Sequence, residues 1–173
     1  MKRVLKRIIS PAAISFAFIL GAFATTGHVI VYSSPDRRCG AEVITYTFDS
    51  THAESRIRFL RPDRSILLTR SFISKDRAHG FRIVRAAWNS DSRYFVFSTV
   101  SSGGLLGGRF PTFVYVRKTN TIIPVDTVAG RWITDSEFQM QAPDLLYVTV
   151  HDTLPGGIAS DTISRLIHMD RLR

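Results

Sequence analysis

The residues best suited by type and spacing to hold a ligand lie in Ser101-Ser102-Gly103-Gly104-Leu105-Leu106-Gly107-Gly108-Arg109, the most glycine-dense stretch of the chain. Consecutive glycines let backbone amides approach a phosphate closely. A P-loop, however, needs Lys-Ser or Lys-Thr where this chain has Arg109-Phe110. The stretch therefore reads as a hairpin loop. Gly103, Gly104, Leu105, Leu106, Gly107, Gly108 and Arg109 are candidate partner contacts, because two leucines at an exposed tip suit a protein or membrane surface better than a nucleotide. A second candidate group is Arg56, Arg58 and Arg61, whose guanidinium groups could hold an anion such as polyphosphate or lipopolysaccharide. Binding of that kind falls steeply with salt.

Catalytic signals are ordinary. Ser90-Asp91 and His151-Asp152 would make a hydrolase only if distant strands assembled a serine, a histidine and an acid, which spacing alone does not indicate. No catalytic residue is assigned. The five histidines, at 28, 52, 79, 151 and 168, never fall four apart, and Cys39 is the single cysteine, so no zinc spacing and no internal disulfide is available. We expect no metal and no cofactor, with the histidines in surface or turn positions and Cys39 acting as a small buried hydrophobe.

At 173 residues, with 45% hydrophobic residues and 12 Phe, the chain can fill one core. The formal charge of +9 overstates the basicity of the folded part, since Lys2, Arg3, Lys6 and Arg7 all precede it and the chain after residue 24 carries +5. In that remainder only Lys75 and Lys118 are lysines. The arginines are scattered among the expected strands, which argues against a nucleic-acid partner.

Ile8 to Tyr32 contains no Asp, Glu, Lys or Arg, so residues 1–32 read as a signal peptide or an N-terminal membrane anchor, an apolar helix with its basic end in the cytoplasm. Ala22-Phe23-Ala24 fits the small-x-small pattern of a signal peptidase site, and cleavage there would free a chain starting at Thr25. The alternation of His28-Val29-Ile30-Val31-Tyr32, which suits a first strand, favours cleavage. A lipoprotein is excluded because Asp36-Arg37-Arg38 precedes Cys39. On either reading the β-domain of residues 33–173 faces outward, in the periplasm or at the outer side of the inner membrane.

The positions of these groups depend on the strands that carry them. Ala41 to Phe48 alternates, Arg56 to Phe59 does so again, and Arg61-Pro62-Asp63-Arg64 turns the chain into Ile66-Leu67-Leu68-Thr69. Residues 74–80 form a charged loop. Ile83 to Trp88 and Arg93 to Thr99 flank an Asn89–Ser92 turn; Tyr94 and Val96 oppose Phe95 and Phe97, so both faces are apolar and the strand is interior. Residues 112–117 repeat that pattern, while Pro124 places the strand of Ile122, Ile123 and Val125 at an edge. Phe138 to Gln141 and Leu145 to Val150 are strands, residues 154–160 a Pro-Gly loop. Ile163 to Leu172 fits a last strand or a short helix capped by Ser160, with strand favoured.

Trp88-Asn89-Ser90-Asp91-Ser92 and Trp132-Ile133-Thr134-Asp135-Ser136 share Trp-x-x-Asp-Ser, 44 positions apart, and each reads as a strand ending in Trp, a tight Asp-Ser turn and an aromatic strand. With Arg93-Tyr94-Phe95-Val96-Phe97-Ser98 and Phe113-Val114-Tyr115-Val116, the first phrase resembles a blade of the TolB-type, WD40-like β-propellers. Ser34-Pro35-Asp36 and Pro62-Asp63 repeat the turn without the Trp. The resemblance implies an all-β fold of antiparallel sheets from two to three blade-like repeats, a partial propeller or sandwich completed by a partner or by self-association. It implies a binding scaffold in the cell envelope, in which Trp88, Asp91, Trp132 and Asp135 are structural. The expected function is a non-enzymatic module that binds an envelope protein or cell-wall component; the alternatives are the dispersed hydrolase and the anion-binding protein.

Overall fold

The computed structural model describes residues 26–104, 106–153 and 159–172. The expected export or anchoring helix, the Ala22-Phe23-Ala24 site, Leu105 at the loop tip and residues 154–158 of the Pro-Gly loop lie outside the described residues. No helix among the described residues is long and apolar enough to cross a membrane.

The strands form three open antiparallel sheets and no barrel. The first holds β1 (Thr26–Ser33), β2 (Gly40–Thr47), β3 (Ala53–Leu60) and β4 (Ile66–Ser71) in chain order. The second, again in chain order, holds β5 (Phe81–Trp88), β6 (Tyr94–Ser101), β7 (Thr112–Val116) and β8 (Thr121–Pro124). A short helix, α1 (Val125–Ala129), leads to the third sheet of β9 (Ile133–Gln141), β10 (Leu145–Thr153) and β11 (Ala159–His168). β1 already pairs with β2 from Thr26 onward, so residues 26–32 of the uncharged N-terminal run belong to the sheet.

Composition explains the stacking. β6 is apolar on both faces because it lies in the middle layer: Tyr94 and Val96 pack with Phe138, Leu146 and Val148 of the third sheet, while Phe95 and Phe97 pack with Ala41, Ile57 and Phe59 of the first. In β7, Val114 and Val116 face the third sheet and Tyr115 the first. Trp88 ties two layers together by donating its indole N–H to the Tyr32 carbonyl at 2.9 Å. Asp126 of α1 holds the other junction, accepting the Thr112 and Ile133 N–H groups at 3.1 and 3.3 Å. As Pro124 requires, β8 is the edge of its sheet.

One turn recurs at four places. In Ser34-Pro35-Asp36-Arg37, Arg61-Pro62-Asp63-Arg64, Ser74-Lys75-Asp76-Arg77 and Asn89-Ser90-Asp91-Ser92, the fourth residue donates its N–H to the first carbonyl. That fourth residue sits in the left-handed region, at φ between 58° and 65°. In each, the aspartate accepts the N–H two residues on, which closes the turn from the inside. The third of these reads in the sequence only as a charged loop.

The second Trp phrase is not a fifth example. Trp132 follows α1 and precedes β9, and Asp135 and Ser136 lie inside β9 instead of in a turn. Trp132 is 54% exposed, whereas the equivalent positions of a repeated unit would be packed. The shared letters therefore carry different structures, because a helix and not a strand leads into the second. Residues 163–172 divide, with strand to His168 and then a single 3-10 turn over Met169–Arg171.

The turn aspartates bear on acid stability. The Ser34 hydroxyl, then Arg117 and the Arg38 N–H, hold the Asp36 carboxyl well below the usual carboxylate range. The Thr51 N–H, then His52, do the same for Asp49, and His79 with Ser74 does so for Asp76. Carboxyls depressed in the folded state bind fewer protons there than when unfolded, so their stabilisation is complete above about pH 4 and is lost as pH falls through the folded values. The urea midpoint should drop progressively from about pH 4 downward, and Asp36→Asn should flatten that slope. An equally steep slope in the variant would show that Asp36 is not a main contributor.

Candidate binding surfaces

The glycine-rich loop is built by φ values that side chains resist. Gly103, Gly104 and Gly108 lie at φ near +70°. Gly103 is further constrained, since a Cβ there would stand 3.0 Å from the His52 Nε2. The loop closes when Arg109 donates its N–H to the Leu106 carbonyl at 3.1 Å, and Phe110 then donates to the Ile133 carbonyl at 2.9 Å. That second bond lays the end of the loop beside Trp132. The Arg109 guanidinium carbon sits 3.0 Å from the centre of the Trp132 ring, a cation–π stack on a half-exposed indole. Of the seven candidate loop residues, the structure thus gives Arg109 a defined surface partner, while Gly104 and Gly107 have open space around them. The sequence places Trp132 among the structural residues, and it is exposed because the short helix α1, not a strand, leads into it.

Arg56, Arg58 and Arg61 are brought together with other arginines. The β2–β3 register pairs Ile44 with Arg56 and Glu42 with Arg58, which puts both arginines on the outer face of the first sheet, away from the core. Arg58 faces Glu42 at 3.5 Å, and Arg64 approaches the same carboxyl at 3.7 Å. Arg56 lies over the Tyr46 ring at 5.9 Å. Arg61 donates to the Ser65 hydroxyl at 3.1 Å and, with Arg37, Arg64 and Leu60, lines a hollow of about 290 Å³ at the turn end of the sheet.

The potential catalytic groups stay apart. Ser90 belongs to the β5–β6 turn, where Asp91 is engaged by Asn89 and Arg93, and His151 lies on β10. Among the described residues no serine hydroxyl bonds a histidine ring. His52 does bond Asp49 through Nδ1, at 2.8 Å, but Thr51 shares that nitrogen and the group closes the 48–52 loop.

One cluster escaped sequence reasoning. The β10–β11 register pairs Leu145 with His168, and the Met169 N–H reaches the Asp144 carbonyl at 2.8 Å, so potential ligand atoms of Asp144, His168 and Asp170 fall within 4.8 Å of one another. Burial, then the neighbouring Asp170, raise the Asp144 carboxyl. The signal was a pairing across a hairpin and not a spacing along the chain. Arg93 and Lys118 line the hollow beside Asp170, so cations of the chain itself already face this group.

Cys39 is buried, and burial pushes its thiol up from the usual range. A thiol held in its neutral form is a poor nucleophile. Ellman's reagent should therefore label the native chain far more slowly than the urea-unfolded chain; equal rates would mean that the 34–39 turn opens readily.

Comparison with protein families, with curated proteins and with solved structures returns no significant match. The arrangement of residues therefore carries the functional reading.

Proposed function

We propose that this chain is a non-enzymatic binding module of the cell envelope, exported or anchored by its apolar N-terminal run, and that it engages another protein. The observation that carries this is the Arg109–Trp132 stack beside the glycine-rich loop. Trp and Arg are the residue types that dominate binding energy in protein interfaces, and a loop with three glycines at positive φ offers backbone groups around them. Three meander sheets stacked face to face support a binding scaffold. Closed propellers need at least about four blades, so a three-sheet stack leaves its end faces uncovered.

The test is native mass spectrometry of the full chain extracted from its own membranes in mild detergent. A species heavier than the 19.5 kDa chain is expected. A bare monomer across several detergents would contradict the proposal.

A further inference from the structure

We propose that the outer face of the first sheet docks on an anionic phospholipid bilayer. Its occupant follows from charge. Arg56 and Arg58 project from β3 on that face, and Arg37, Arg61 and Arg64 surround the hollow at its turn end, whose floor includes Val31, Gly40 and Leu60. At the opposite end Arg56 and Arg77 line a second hollow of about 290 Å³ with Tyr46, Phe48 and Ile73. The acids beside these six arginines are Glu42, shared by Arg58 and Arg64, and the turn aspartates Asp36, Asp63 and Asp76, of which Asp36 is already paired with Arg117 and Asp76 with His79. Glu54 belongs to the same face but is fully buried beneath the 74–80 loop, where its carboxyl is used by backbone and hydroxyl donors. Cations exceed acids, and all of them are arginines, whose planar forks match phosphate oxygens in pairs.

A bilayer suits this face better than a free phosphate. The arginines are spread along the length of an eight-residue strand, about 26 Å at strand rise, which exceeds a single small anion. Between and beside them stand apolar side chains, with Val29 at 50%, Val31 at 54% and Ile66 at 54% exposure. Apolar groups flanked by cations are what an interface of headgroups and acyl chains accepts, and each cation near an anionic leaflet adds to the attraction. Position agrees. β1 is the edge strand of this sheet, and the apolar run that precedes it joins the sheet at Thr26.

Arginine footprinting tests this. The full chain is placed in nanodiscs of phosphatidylcholine alone or of phosphatidylcholine with phosphatidylglycerol in a two-to-one mixture, and phenylglyoxal modification is followed by peptide mass spectrometry. The apolar N-terminal run is present in both samples, so the difference reports on the face. Arg56, Arg58, Arg61 and Arg64 should react about fivefold more slowly in the anionic discs, with Arg85 of the middle sheet and Arg165 of the third unchanged. One-molar salt should remove the protection. Arg61→Glu with Arg64→Glu should lose it at Arg56 and Arg58 as well. Equal reactivity in the two lipids would overturn the proposal. So would protection by soluble polyphosphate in neutral discs without protection by phosphatidylglycerol, which would assign the face to a free polyanion. Trp132 takes no part, so failure of the protein-binding reading leaves this result interpretable.

Discussion

Replacing Phe59 with alanine should cost about 4 kcal/mol, the range for a fully buried phenyl ring. Phe59 has no exposed surface and touches the aromatic residues that join two layers. Its ring stacks on Tyr115 at 3.6 Å between centroids and meets Phe95 and Trp88 edge-on at 5.6 and 6.4 Å. Tyr115 is enclosed enough by this contact that burial pushes its phenol up to about 12. Loss of the ring would leave a cavity between the first and middle sheets that neither sheet can close alone, since the hydrogen-bond ladder of each holds its strands in place. With a urea slope of about 2 kcal/mol per molar, the midpoint should fall by about 2 M. A fall under about 0.5 M would mean that the two sheets are not packed as described.

The second large effect is expected at Glu54 and Gly80, which act as one unit. Glu54 is fully buried on β3, and its oxygens accept the Ser74 N–H, the Ser74 hydroxyl and the Gly80 N–H, each at 2.7 Å. These bonds dock the 74–80 loop, through which the first sheet connects to the middle one. Glu54→Ala strands those donors in a buried site and should cost about 3 kcal/mol; Glu54→Gln, which retains one acceptor oxygen, should cost about half as much. Gly80→Ala should be comparably severe. A Cβ there would stand 2.2 Å from the Phe72 carbonyl and 2.5 Å from the Glu54 carboxyl carbon. The clash with the Phe72 backbone carbonyl persists without Glu54, but the clash with the Glu54 carboxyl does not, so the double variant should lose less than the two single losses together. Thermal or urea unfolding of the three single variants and the double one decides this. Full additivity would show that Gly80 is constrained by backbone alone.

Much of this fold is legible in the sequence where local chemistry and packing agree. The two-faced apolar patterns of β6 and β7 mark the middle layer, and Pro124 marks an edge. Asp-containing turns are visible wherever Pro or Asn precedes the aspartate. What fails is inference from letters whose surroundings differ. Trp88 and Trp132 share a phrase, yet one ends a strand and is locked to Tyr32, while the other follows a five-residue helix and stands exposed. A helix that short has no periodicity to read. Glu54 lies in the sequence among Asp49, Ser50, Thr51 and His52, between two alternating runs, and only the return of residues 74–80 across the sheet shows that it is buried. The arginines of the first sheet are dispersed along the chain, and strand pairing, not spacing, gathers them on one face. Asp144, His168 and Asp170 meet for the same reason.

The central claim is that the Arg109–Trp132 surface binds another protein, and photo-crosslinking in intact cells tests it most directly. A benzophenone amino acid at Leu106, beside that stack, should yield a discrete adduct that disappears with Trp132→Ala. Trp132 is half exposed and Arg109 is its stacking partner, so the variant should unfold within about 0.5 kcal/mol of wild type. The same photoreactive group at Ser90, in a turn elsewhere, should give no such adduct. An adduct that persists unchanged in the folded Trp132→Ala chain, or no adduct from Leu106 at all, would contradict the account.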